Sequence, residues 1–182
     1  MKEVVLYVDG AGNPTGETEE KLSAHHATTR KHLAFSCYVF DASGKLLVTK
    51  RSSAKKVWAG FWSNSFCGHP QEGEDFVDAI KRRGEYELGV RLRDIQCIKS
   101  DYSYQTPPHE GIVENEFCPL FIAHVVGSVD ANKDEVENYK WIDFDDYIDE
   151  LGTETMGDWS WWAKDQLKFV KNNPLVISYV LA

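Results

Sequence analysis

Two short stretches hold the residues best suited to chemistry. Cys67-Gly68-His69-Pro70 places a thiol two residues from an imidazole in a turn-prone segment, and Glu114-Asn115-Glu116 puts two carboxylates at alternate positions. A thiol or a carboxylate can give or take a proton, and an imidazole is a common metal ligand. Read as a strand, the second stretch turns Glu114, Glu116 and Cys118 to one face. Two carboxylates about 6–7 Å apart on that face repel, and solvent or a metal ion relieves them. The apolar run Phe117-Cys118-Pro119-Leu120-Phe121-Ile122 argues against a fully solvated strand. Cys118, like Cys37 within Ala34-Phe35-Ser36-Cys37-Tyr38-Val39-Phe40, reads as core filling.

Six histidines complete the inventory: His25, His26, His32, His69, His109 and His124. His124 sits inside an apolar strand and reads as structural; His26 and His109 have no distinctive surroundings. His25 and His32 lie seven residues apart, either two helical turns or one looping segment, and neither arrangement specifies a metal by itself. Taken with His69 and the two glutamates they form an N3O2 set, which suits a five- or six-coordinate Mn, Mg-like or Zn ion.

Between the two stretches lies the clearest helix, Glu74 to Leu88, ended by Gly89 as a C-cap. Phe76, Ala79, Ile80, Arg83 and Glu87 fall on one stripe of it. A guanidinium and a carboxylate therefore border the buried face, where burial costs several kcal/mol per ion unless the charges pair or bind a ligand. An i, i+4 Arg83–Glu87 ion pair is the plain alternative. The spacing from Gly68 through Glu74 and Arg82 to Glu87, Gly89 and Val90 resembles the Nudix box, the helix on which Nudix hydrolases bind divalent metal and a diphosphate. Arg83 stands where that motif has the Glu after its Arg, and Tyr86 where it has the first of its paired Glu. The acidic cluster is thus incomplete, and Arg83 is suited to phosphate instead. The combination points to a metal enzyme handling a diphosphate by chemistry other than hydrolysis.

The elements that must position these groups suit one domain spanning residues 1–182. The chain is 42% hydrophobic and 13% aromatic, enough for a sizeable core. Its 20 basic and 29 acidic residues leave a formal net charge of -9, a poor balance for nucleic acid. No apolar run is long enough to span a bilayer, the N-terminus is no signal peptide, and Cys37, Cys67, Cys97 and Cys118 show no CxxC spacing. These features are those of a cytoplasmic protein with reduced thiols. Strands are expected over Val4 to Asp9, His32 to Asp41, Leu46 to Arg51, Ile95 to Tyr104, Glu114 to Val126 and Tyr139 to Ile142. Helices are expected near Phe144 to Leu151, Trp159 to Lys171 and Pro174 to Leu181. Glu17 to Lys31 reads as a short helix or a functional loop, and Trp58 to Phe66 as half-buried. Hairpins followed by interspersed strands and helices suggest an α+β fold, an α/β sandwich on a mixed sheet.

The whole pattern resembles the metal-dependent, non-flavin isopentenyl-diphosphate Δ-isomerases, which have a Nudix fold. The segments that carry the resemblance are His25 through Phe35, Leu47 through Arg51, Trp62 through Pro70, Arg83 through Gly89 and Gly111 through Pro119. The resemblance implies a Nudix-like mixed sheet flanked by helices, with N-terminal and C-terminal extensions. It implies interconversion of isopentenyl and dimethylallyl diphosphate in isoprenoid biosynthesis. It implies that His25, His32, His69, Glu114 and Glu116 bind a divalent metal (Mg2+, Mn2+ or Zn2+). By the same resemblance, Cys67 and Glu116 face opposite sides of the substrate double bond, with Tyr104 beside Glu116. Glu87 and the Cys67 carbonyl hold a Mg2+ bridging to the diphosphate. Lys21, Arg51, Lys55 and Arg83 fall where the family places diphosphate-binding cations, and Trp162 where it caps the hydrocarbon end. In many members Pro precedes that Trp; here Trp161 does, so either indole could be the cap. The partner implied is the small-molecule substrate, with no nucleic acid and no membrane; a monomer and a homodimer are equally compatible.

This reaction needs such residues. Protonating an unactivated alkene generates a tertiary carbocation, so acid and base must be well placed on opposite faces. We assign Glu116 and Tyr104 to the proton delivered in the forward direction and Cys67 to the proton removed. Aromatic faces favour the cation, and a Trp lid excludes water that would trap it as an alcohol. Two rivals share the fold. A Nudix hydrolase of a nucleoside diphosphate derivative should retain the acidic cluster, and a non-catalytic binding module would not need Cys67 and Glu116 to react.

Overall fold

The computed structural model describes residues 3–152 and 157–181. Two sheets organise them. The smaller has the order β2-β1-β3-β10-β9, from strands β1 (Val4–Val8), β2 (Pro14–Glu20), β3 (His32–Leu33), β9 (Ser103–Gln105) and β10 (Asn115–Phe117). The larger has the order β12-β5-β4-β11-β8, from β4 (Phe35–Phe40), β5 (Leu46–Arg51), β8 (Arg91–Lys99), β11 (Leu120–Val126) and β12 (Val136–Ile142). Two short strands join its path, β6 (Trp62–Ser63) on β5 and β7 (Phe66–Gly68) on β4.

Strands expected to be continuous are broken where they change sheets. His32 to Asp41 divides at Ala34 into β3 and β4, and Glu114 to Val126 divides at Cys118-Pro119 into β10 and β11. The pairs run parallel on both sides of the break, β3 with β10 and β4 with β11. Proline has no N–H for the ladder, and this one instead accepts from the Ser36 amide at 3.1 Å. Ile95 to Tyr104 likewise becomes β8 and β9, with β8 starting at Arg91. The segment from Glu17 is neither helix nor loop alone. It finishes β2, makes the single turn α1 (Lys21–Ala24), and only then loops to His32.

The larger sheet is covered on both faces, as an α/β sandwich requires. On β4, Phe35, Cys37 and Val39 join Ala79, Ile80 and Leu88 of α2 (Phe76–Leu88) in one core. Tyr38 and Phe40 join a second core with α3 (Phe144–Leu151), α4 (Trp161–Val170) and α5 (Pro174–Val180). Helix α2 starts two residues later than its pattern suggests, because Asp75 caps it by accepting from the Asp78 amide at 2.9 Å. It ends as expected at Gly89, whose φ of 66° is left-handed, and a Cβ there would meet the Asp130 carbonyl oxygen at 2.7 Å. All four cysteines are free thiols, and Cys37 and Cys118 are wholly buried as core filling.

Candidate metal centre and active site

Register in the smaller sheet builds one side of the site. His32 on β3 lies opposite Glu116 on β10, and Glu116 lies opposite Tyr104 on β9. The three side chains therefore form one row across three strands. The Tyr104 hydroxyl donates to Glu116 Oε2 at 2.8 Å. His32 Nε2 and His69 Nε2 approach Glu116 Oε1 at 3.6 and 3.3 Å. His25, just past α1, brings its Nε2 to 3.2 Å from Glu114 Oε2. His25, His32, His69 and Glu116 each place a ligand atom within 4.8 Å of the others, and all are buried.

These residues fit a divalent cation. His25 Nδ1 lies 2.7 Å from the Lys21 carbonyl, and His32 Nδ1 lies 2.9 Å from the Arg30 carbonyl. A carbonyl can only accept, so each Nδ1 carries the hydrogen and each Nε2 presents a lone pair inward. The inward lone pairs meet carboxylates, and such acceptor pairs need a shared proton or cation between them. His32 Nε2 and Glu114 Oε2 are buried with no hydrogen-bond partner, the mark of donors arranged for a metal.

Electrostatics follow the same geometry. Burial raises the Glu116 carboxyl, but a proton shared with the facing His32 and His69 nitrogens outweighs it and holds it well below the usual range. Burial pushes His69 down to about 3, against the pull of Glu116, so the ring is neutral and able to ligate. For His25 burial is outweighed by Glu114, and its pKa is raised.

The opposite side comes from the larger sheet. Cys67 on β7 pairs with Ser36 on β4. Gly68 is required beside it, since a Cβ there would sit 2.8 Å from Arg83 Cγ and 2.9 Å from Phe35 Cζ. Arg82 pins the following turn by donating to the His69 carbonyl at 3.0 Å while paired with Glu74 at 2.7 Å. Burial pushes the Cys67 thiol up to about 12, against a hydrogen bond with Ser36, so it is protonated at neutral pH. Cys67 and the Glu116–Tyr104 pair line one cavity of about 670 Å³, reached from different sheets.

Lys21, Arg51, Lys55, Arg83 and Trp162 line the same cavity. Sequence reasoning missed the carboxylates that accompany these cations. Glu3 accepts from Lys21 at 2.7 Å and from Arg83 at 2.6 Å, and Glu135 pairs with Lys55 and lies 3.5 Å from Arg83. The buried i, i+4 pair Arg83–Glu87 is also present, with Arg83 Nε donating to Glu87 Oε1 at 3.0 Å. Arg51 donates to the Val57 carbonyl at 2.8 Å and stands 5.2 Å over the Trp162 ring. Of the two candidate indoles, Trp162 lines the cavity and donates to Ser63 Oγ at 2.9 Å. Trp161 instead stacks on Tyr104, with ring centroids 5.7 Å apart. His109, without context in the sequence, stacks on Trp58, and His124 stacks on Tyr179, each at 4.1 Å, so both are structural.

The model of the NUDIX domain matches residues 30–166. Among solved structures, DR0079 from Deinococcus radiodurans superposes with a TM-score of 0.68 at 14% identity, covering 91% of this chain and 98% of that one. A MutT NUDIX hydrolase from Burkholderia pseudomallei gives 0.58 at 19% identity, covering 78% and 98%. Both are likenesses of fold. Nearer relatives are two proteins named isopentenyl-diphosphate Delta-isomerase, from Escherichia coli K12 and Shigella dysenteriae. Each is 49% identical over 146 residues, covering 80% of this chain and 80% of the relative. The chain belongs to the Nudix family and, within it, to the isopentenyl-diphosphate Δ-isomerases.

Proposed function

We infer that this protein interconverts isopentenyl and dimethylallyl diphosphate, adding a proton on one side of the substrate and removing one on the other. The observation that carries this reading is the opposition of Cys67, from the larger sheet, to the Glu116–Tyr104 pair, from the smaller, across one cavity.

The two groups hold one proton in complementary fashion, a thiol at Cys67 and a carboxylate at Glu116. That is the distribution left when Glu116 and Tyr104 have delivered a proton and Cys67 has collected one. It starts the reverse direction, and forward turnover starts from its converse. His25, His32, His69, Glu114 and Glu116 would hold a divalent ion, Mg2+, Mn2+ or Zn2+. When bound, that ion supplies positive charge that raises the acidity of a group hydrogen-bonded near Glu116 and fixes its orientation.

Lys21, Arg51, Lys55 and Arg83 bind the diphosphate; Glu87 and the Cys67 carbonyl would hold a Mg2+, which would add positive charge for it. Because Glu3 and Glu135 already engage three of these cations, substrate must exchange places with protein carboxylates. Trp162 covers the hydrocarbon end, where its ring face favours a carbocation and excludes water. Trp161 backs Tyr104. The chain acts as one domain in the cytoplasm, as a monomer or homodimer. Proton NMR of isopentenyl diphosphate mixed with the metal-loaded protein tests the reading. Dimethylallyl diphosphate should accumulate to equilibrium; phosphate release from nucleoside diphosphate derivatives without isomerisation would replace it with a hydrolase.

A further inference from the structure

We propose that Ser36 and Gln166 are positioning residues for Cys67, fixing where its sulfur and its proton point. The inference rests on the reading of Cys67 as a proton-handling group.

The sulfur is held by two hydrogen bonds of opposite sense. Asn64 Nδ2 donates to the carbonyls of Cys37 and Phe66 at 3.0 and 3.1 Å, so both amide hydrogens are used. Asn64 Oδ1 therefore faces Cys67 as an acceptor and takes the S–H at 3.4 Å. On the other flank Ser36 Oγ lies 3.2 Å from Cys67 Sγ. The direction of that contact is set behind Ser36. Tyr38 donates its hydroxyl to Gln166 Oε1 at 2.8 Å, which turns Gln166 Nε2 to Ser36 Oγ at 2.9 Å. A serine oxygen that accepts from Gln166 spends its own hydrogen elsewhere. The acceptors in reach are Cys67 Sγ and, farther at 3.5 Å, Cys118 Sγ.

Ser36, Tyr38, Asn64 and Gln166 are all wholly buried. Packing alone does not call for these polar groups. An apolar side chain of Gln166's shape would fill the space without desolvating an amide, and a matched apolar replacement of both partners is often neutral in stability. What the amide adds is direction, transmitted along a chain of mutually polarising hydrogen bonds. A thiol on a short side chain has one free rotation at Cβ, and proton transfer to carbon tolerates little misplacement.

The test reads the Cys67 S–H stretching band by infrared difference spectroscopy against Cys67→Ala, beside kcat and KM for isopentenyl diphosphate. Ser36→Ala and Gln166→Leu should shift and broaden the band. They should lower kcat by about tenfold to a hundredfold, with KM within about twofold and the fold retained by circular dichroism, the melting temperature falling by several degrees as the remaining buried partner is left unpaired. Ser36→Thr, which keeps the hydroxyl, should restore the band and most of the rate. An unshifted band, or a shifted band with unchanged kcat, in whichever variant folds would overturn the proposal. Full turnover by Cys67→Ala would instead sink the reading of Cys67 and leave the band shifts to stand alone.

Discussion

The two ends of the cavity are built on opposite electrostatic plans. At the His/Glu end, lone pairs of His25 and His32 are turned inward against Glu114 and Glu116, and two buried acceptors have no hydrogen-bond partner. At the cationic end, Lys21, Lys55 and Arg83 are already matched by Glu3, Glu87 and Glu135. The first end gains stability only when a cation or proton enters. The second is self-neutralised, so an anionic ligand must compete with carboxylates of the protein. The proposed metal site and the proposed diphosphate site thus differ in the balance of acceptors and donors, even though both mix charges of both signs.

The comparison can be broken at several points. The largest effect is expected at the groups proposed to react. Cys67→Ala and Glu116→Gln should each reduce turnover at least about a thousandfold, with circular dichroism unchanged. Retention of substantial activity in either would remove that residue from the mechanism. Next come the inward-facing imidazoles, since His25→Ala, His32→Ala and His69→Ala should each lower metal content by elemental analysis after dialysis. Unaltered stoichiometry in all three would put the metal elsewhere.

A third prediction uses pH. The folded pKa of His69 is depressed to about 3, so the unfolded chain binds more protons below the ordinary histidine value. The His69 contribution to the stability of the metal-stripped protein should therefore be full above about pH 6.5 and fall as pH drops from there toward 3. His25, whose pKa is raised, acts in a different window, its contribution being lost as pH rises above about 6.5, so His69→Gln alone should flatten the acid-side fall. Urea titrations at stepped pH check the sign. The smallest effect sharpens the cationic end, where Glu3→Gln frees Lys21 and Arg83 from a competitor. The inhibition constant of inorganic pyrophosphate should drop a few-fold, roughly the strength of partly exposed ion pairs. A rise would mean that Glu3 orients the cations rather than screens them.

Much of this was legible from local pattern. Glu114 and Glu116 stood out because carboxylates are costly to bury and their spacing turns them to one strand face, and Cys67 and His69 because a thiol and an imidazole share a short turn-prone segment. The Arg83–Glu87 pair followed from helical spacing, as did the Gly89 cap. What escaped reading depends on distant parts of the chain. Glu3 lies 80 residues from Arg83, and Ser36 lies 130 residues from Gln166, so no periodicity links them. A faint signal existed for Gln166, an amide on the otherwise apolar stripe of Trp162, Ala163, Leu167 and Val170. Strand β2 was missed because its polar residues are mostly exposed and show no alternation. The sheet switches were missed because nearly continuous apolar runs pass through Ala34 and across Pro119 without a change of pattern, although the proline was a usable warning.

The most direct test of the account is isomerisation of isopentenyl diphosphate in D2O, measured with metal-loaded protein, with chelated protein and with metal-loaded Cys67→Ala. The account predicts conversion with deuterium incorporated into the product, loss of conversion on chelation with recovery on adding Mn2+ or Mg2+, and none with Cys67→Ala. Equal conversion with and without the metal, or by Cys67→Ala, would contradict the joint action of the two sides of the cavity.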